Sequence, residues 1–434
     1  MSPEIPNIFK VPELRKRIFL TAFILIVYRV GAHIPTPGID AEALSALFTT
    51  AAGTLFGFFD LFSGGALRRL SVFALGIMPY ISASIILQLL AVVIPTLERL
   101  QKEGEQGRKK ITQYTRYGTV LLATLQGFGI AIGLENQSVD GRLVVPYPGW
   151  GFRLMVTVTL VTGTIFLMWL GEQISERGIG NGISLLIFAG IIVRLPAAIV
   201  SSLQLLRTGE MKAYVFLFLL VLMVVVVAGV IVMTLGHRKI PVQYAKRIVG
   251  RHMVGGQSTH IPLRVNTAGV IPVIFAASVV VLPATIAQFI QVEWVQVIAQ
   301  VMAPGQALYF LLYGFSIIFF TYFYTAIIFN PADVAENLKK YGGFVPGIRP
   351  GAKTAEFIEK VLDRITLVGA IYLALISILP EVLIVGVNVP FFFGGTSLLI
   401  VVGVALDTVQ QIESHLLMRH YEGFLKRSKV RGRL

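Results

Sequence analysis

Ala213 to Leu235 contains no charged residue and is built almost entirely from Val, Leu, Met, Phe and Ala. A helix crossing the roughly 30 Å hydrocarbon core of a bilayer needs about 20 such residues. A run of this kind has no stable place on a water-soluble surface. The same ruler finds nine more candidates: 18–35, 72–94, 114–134, 153–172, 183–204, 266–290, 306–329, 365–384 and 391–412. The chain of 434 residues is 55% hydrophobic and 14% charged, where a soluble domain carries about a quarter charged residues. The reading is an all-α polytopic membrane protein of ten spans. The connections between spans leave no room for a separate soluble domain. Ile18 to Ile34 is followed by no small-residue cleavage site, so it reads as a span and not as a leader.

Charge orients the bundle. Ten spans put both termini on one side, together with 95–116, 173–182, 236–264 and 330–364. Most of the 37 Lys and Arg fall there, and the last two loops and the 413–434 tail hold six each. By the positive-inside rule this side is the cytoplasm, with 1–17 as a cytoplasmic N-terminus.

Two of these loops have a shape of their own. In 236–264, Ile240, Val242 and Tyr244 alternate, Gly255-Gly256 follows, and THIPLRV makes a second extended stretch: a β-hairpin. It carries Arg238, Lys239, Lys246, Arg247, Arg251 and Arg264 and no acid, which suits a phosphate-rich partner such as ribosomal RNA. The plainer reading of a basic loop is a topology determinant beside anionic lipid. The 330–364 loop opens with a short helix, turns at Gly342-Gly343, and shows Arg349 between Pro-Gly pairs in VPGIRPG. Its cations, Lys339 and Lys340 among them, mix with Asp333, Glu336, Glu356, Glu359 and Asp363, a pattern for a protein surface.

Chemistry is scarce. No cysteine exists, no GxxxxGK loop, no HExxH and no GxSxG. GIGNG (178–182) reads as a tight turn with Asn181 capping the next helix. Within spans, Arg29, Arg194 and Asp407 stand out, with Glu172 near an end. They form no relay; Arg29 and Arg194 are expected to snorkel from outer span ends. A secondary transporter would need paired midplane charges, and an intramembrane hydrolase a buried nucleophile and base. Neither set is present, and no metal site or cofactor is expected.

One stretch resists this reading. FSGGALRRLSVFALGIMPY, residues 62–80, puts Arg68 and Arg69 directly before a span. It also opens a series of segments that resemble the SecY family of protein-conducting channels: FSGGALRRLSVFALGIMPYISASIILQLL, EGEQGRKKITQYTRYGT, GEQISERGIGNGIS, QSTHIPLRVN, AGVIPVIF, FNPADVAENLKK, FVPGIRPG and PFFFGGTSLLIVVG. The resemblance implies two inverted five-helix halves, 18–204 and 213–412, around an hourglass pore. It makes about 58–71 a re-entrant plug, including Phe62, Ser63, Gly64, Gly65, Ala66, Leu67, Arg68 and Arg69, with Gly64-Gly65 as its joint. It makes Ile81, Ile85, Ile183, Ile187, Ile274 and Ile400 an apolar pore ring. The spacing agrees in part, since 81/85 and 183/187 each share a helix face. It assigns Arg349 and the basic loops, with Arg238, Lys239, Lys246, Arg247, Arg251, Lys339 and Lys340, to docking of the SecA motor and the ribosome. SecE and SecG are the implied small membrane subunits, unfolded precursors and their signal sequences the implied cargo, and the bacterial cytoplasmic membrane the implied location.

Overall fold

A computed structural model describes residues 11–50, 60, 63–135, 137–139, 142–209, 211–244, 247–249, 252–254, 258–289, 301, 306–387 and 395–431. Seven helices among the described residues are long and apolar enough to cross a membrane, or eight if a bent pair counts as one. The chain forms two compact units: Met1–Ser201 with Val281–Pro304 and Val404–Leu434, and Ser202–Val280 with Gly305–Gly403.

In the first unit, α1 (Pro12–Gly31) stops four residues before the apolar run does. The Phe73 ring occupies the place where a Cβ on Gly31 would lie. Asp40 caps α2 (Ala41–Thr50), its Oδ1 accepting from the Glu42 and Ala43 N–H groups at 2.9 and 3.3 Å. Helix α3 (Met78–Val93) starts six residues later than the hydropathy suggests. Residues 72–77 are turns, because Gly76 sits at φ +58° and Pro79 fits only a first helical turn. At Ile94-Pro95 the chain bends by 106° into α4 (Pro95–Lys102). The expected 95–116 loop is therefore mostly helix, since α5 (Glu105–Glu135) begins nine residues before the apolar run. A short hairpin, β1 (Ser138–Val139) and β2 (Arg142–Leu143), leads to α6 (Trp150–Arg177). Gly127 of α5 meets Thr157 and Leu160 of α6, so the two backbones approach closely, as small residues in spans permit. The expected 183–204 span is present as α7 (Gly182–Ile192) and α8 (Arg194–Thr208), with a one-residue turn at Val193 that does not end the span.

In the second unit, α9 (Ala213–Leu235) is the uncharged run itself. It is followed by β3 (His237–Tyr244), β4 (Arg247–Val249), β5 (His252–Val254) and β6 (Ser258–Arg264). β3 and β6 pair antiparallel from His237↔Arg264 to Gln243↔Ser258, and β4 pairs with β5. The reversal thus falls between Val249 and His252; Gly255-Gly256, expected as the turn, lies outside the described residues. Helix α10 (Ile271–Phe289) follows, its side chains described to Val280. Then come α11 (Ala307–Ile328), α12 (Pro331–Lys340), β7 (Gly343–Phe344), α13 (Ala352–Val387) and α14 (Gly395–Arg431), which from Val404 onward belongs to the first unit. α13 starts well inside the expected 330–364 loop, and α14 continues as helix through 413–431 of the expected tail.

Within the spans, Thr hydroxyls donate to the carbonyl four residues back: Thr119 to Thr115, Thr164 to Leu160, Thr321 to Ile317 and Thr325 to Thr321, at 2.6–3.0 Å. A hydroxyl satisfied on its own helix can sit in hydrocarbon without an unpaired donor.

Candidate functional site

The segment after Asp60 is held by its own turns. Asp60 and Ser63 are helical, residues 64–70 are consecutive turns, and Phe62 lies outside the described residues. The Asp60 carbonyl accepts from the Gly65 N–H and the Ser63 hydroxyl, both at 3.1 Å. Its carboxylate Oδ1 accepts from the Arg68 N–H at 2.9 Å. Gly64 and Gly65 adopt φ +65° and +86°. A Cβ on Gly64 would lie 2.7 Å from the Gly190 Cα, so this glycine is required for close approach to α7 as well as for its dihedral. Ala66, Leu67 and Leu70 are buried; Leu67 and Leu70 pack with Leu44, Ala123, Val144, Val156 and Leu160. Arg68 and Arg69 are exposed. The turn thus faces its apolar side chains inward and keeps both guanidinium groups out of the core.

The two span arginines are not snorkelling. Arg29 donates to the Gly64 carbonyl at 3.3 Å. Arg194 forms an ion pair with the buried Asp60 carboxylate. Tyr28 adds a hydroxyl bond to the Ser63 carbonyl at 3.3 Å. Asp60 belongs to no motif in the sequence; its one signal is a lone acid in an apolar run four residues before Gly64-Gly65. Glu172 pairs bidentately with Arg116 of α5, with both distances at 2.8 Å.

The GIGNG turn is capped as expected: Asn181 Oδ1 accepts from the Ser184 N–H at 3.3 Å. Thr21 of α1 accepts from Ile179 at 3.0 Å, and Gln411 of α14 from Gly180 at 2.9 Å. The turn therefore positions the start of α7. Of the six isoleucines, Ile81 and Ile85 lie buried on α3, while Ile187 is buried and Ile183 half-buried on α7. In the second unit Ile274 and Ile400 are buried on α10 and α14. There a Cβ on Gly403 of α14 would lie 3.2 Å from the Val270 side chain, in the turn that leads into α10. None of the six stands on an exposed face.

The two basic loops join in one structure. β7 pairs with β3 at Gln243↔Phe344 and Tyr244↔Gly343, giving a three-stranded sheet of order β6-β3-β7. Beneath it Ile240, Leu263, Val345 and Ile358 form a buried core, flanked by Val334, Leu338 and Ile348. Asn330 caps α12 by accepting from the Ala332 N–H at 3.1 Å. The strand alternation was right: Ile240 and Val242 point inward, and Arg238, Lys239 and Pro241 are exposed. Arg349 is exposed between Gly347 (φ +79°) and Gly351 (φ +107°), and its carbonyl accepts from the Thr354 hydroxyl at 3.0 Å. The tip is thus tied to the first turn of α13. Lys339 and Lys340 end α12. Lys246 and Arg251 lie outside the described residues, as does the Arg247 side chain.

Together these features define a multi-pass α-helical membrane protein with a compact extramembrane sheet module. The chain belongs to the SecY family: the SecY family model matches residues 71–409. It is similar to the protein translocase subunit SecY of Vibrio cholerae, 52% identical over 97% of this chain and 96% of that one. It is likewise similar to that of Escherichia coli K12, 53% identical with the same coverages. Among solved structures it resembles one described as a protein conducting channel, with TM-score 0.56, 18% identity, and 95% and 96% of the two chains covered. It also resembles the idle yeast Ssh1 complex bound to the yeast 80S ribosome, with TM-score 0.60, 17% identity, and 97% and 94% covered. At these identities the structures speak to the fold.

Proposed function

We propose that the chain is the central subunit of a channel that passes unfolded polypeptides across the bacterial cytoplasmic membrane and releases apolar segments sideways into lipid. The observation that carries the reading is the set of uncharged, branched isoleucines on α3, α7, α10 and α14, turned away from the exposed faces of a family member. The physical need is plain. A charged side chain at the bilayer centre costs about 2.5–3.5 kcal/mol on insertion scales. Each unpaired backbone group adds several kcal/mol more. A wet passage pinched by one apolar ring removes most of that cost and stays closed to ions by dewetting. In this reading Ile81, Ile85, Ile183, Ile187, Ile274 and Ile400 form the ring between two inverted halves. The segment around Asp60–Arg69 is the plug.

The channel itself is passive and performs no catalysis. Energy comes from the SecA ATPase or the translating ribosome, which dock on the basic sheet module and on Arg349, with SecE and SecG as membrane partners. Both termini are cytoplasmic in this reading, which the cation distribution supports. The exposed cations of β3 and the fixed Arg349 tip support docking. Vesicles holding this chain with SecE are expected to import an unfolded precursor when SecA and ATP are supplied. Equal import by vesicles lacking the chain would defeat the proposal.

A further inference from the structure

We propose that Asp60 and Arg194 form a charge latch that fixes the plug segment in its seat and sets the threshold for displacing it. The inference rests on the channel reading above. Three groups from neighbouring helices reach this one segment: Tyr28 and Arg29 from α1, and Arg194 from the start of α8. In every case the helix side donates and the segment accepts, through the Ser63 and Gly64 carbonyls and the Asp60 carboxylate. The Asp60 side chain is 5% exposed and that of Arg194 32%. The acid is therefore buried while its partner is only partly so. Its second oxygen holds the Arg68 N–H, so one carboxylate both closes the turn and ties it to α8.

The asymmetry of burial gives the latch its behaviour. With Arg194 removed, Asp60 is left as a buried charge without its partner, and that state is strongly disfavoured. Once the segment leaves, both charges regain water, so release is reversible. Loss of the pair thus raises the population of the displaced state at rest. Arg194 directly follows the turn residue Val193, and its guanidinium meets Asp60 from there.

The test is the resting conductance of the reconstituted channel in planar bilayers, with neither precursor nor motor. Arg194→Gln and Asp60→Asn are each expected to raise the open probability about tenfold or more. Arg194→Lys should stay near the parent, since a cation at that site still meets the carboxylate. Parent-like conductance in both single variants would overturn the latch. If Asp60→Asn fails to assemble, Arg194→Gln decides, its side chain being one-third exposed. A parent chain that imports precursor while its single variants do not leak leaves the channel reading standing and the latch refuted. A parent that imports nothing refutes the channel reading itself.

Discussion

Ile358 is fully buried beneath the three-stranded sheet, against Ile240, Leu263 and Val345. Ile358→Ala removes three carbons, which at about 0.8 kcal/mol per buried methylene is roughly 2.4 kcal/mol of transfer free energy. The cavity left behind raises the cost within the range of about 2–5 kcal/mol seen for such truncations. The sheet module is small and hangs on this one core, so the loss falls on its local opening and spares the spans. At about 2.4 kcal/mol, without the cavity contribution, the open population rises roughly 50-fold. Trypsin reports that population, because cleavage at Arg238, Lys239 or Arg264 requires the β3–β6 pairing to separate first. On inverted vesicles, which the proposed orientation leaves with the module outward, cleavage at those sites should quicken by that factor. Cleavage at Arg108 to Lys110, on α5 in the other unit, should not change. Ile358→Val should quicken it only about 2- to 12-fold, for a cost of about 0.5–1.5 kcal/mol. Motor-driven import should fall with Ile358→Ala although Arg349 is intact, because the tip is tied to the same module. Parent-like cleavage in Ile358→Ala, or equal quickening at both regions, would refute the claim that the two loops form one independently cored structure.

Other outcomes follow from the same geometry. Arg349→Glu should depress motor-driven import at least about tenfold, on the scale of losing one charge-assisted contact, while membrane assembly, read by yield and gel filtration, stays unchanged. Ile400→Asn puts an amide in place of a buried branched side chain and should open a measurable ion conductance in planar bilayers; a silent variant argues against the ring. Gly163→Ala would place a Cβ 1.9 Å from the Val72 carbonyl oxygen. The forced separation of α6 from the turn should cost about 1–3 kcal/mol and lower the thermal midpoint in detergent; an unchanged midpoint contradicts the close packing. Asn181→Ala removes the cap of α7 and should cost about 1 kcal/mol, seen in the same melt.

The strongly apolar runs, the Asn181 cap and the inward alternation of β3 are legible in the sequence because each depends on residues close together in the chain. A run such as Ala213–Leu235 has no other stable setting than a membrane or a core, whatever its neighbours. Asn181 and Asn330 cap helices through bonds to residues two or three positions away. Positions of the six isoleucines came from family resemblance; periodicity alone gave only the shared faces of 81/85 and 183/187.

What depended on distant partners was invisible. Hydropathy carried the second span back to residue 72, but Gly76 at φ +58° keeps 72–77 out of the helix. Gly342 makes the expected turn at φ +72°, but Gly343 enters β7 and joins a strand a hundred residues earlier, fusing two loops into one module. Arg29 and Arg194 carried no mark of their partners, which stand 35 and 134 residues away. An arginine in an apolar run satisfies the same rule whether it snorkels to water or meets a buried acid. The choice between them is made by tertiary packing, which alone decides whether a carboxylate stands within reach.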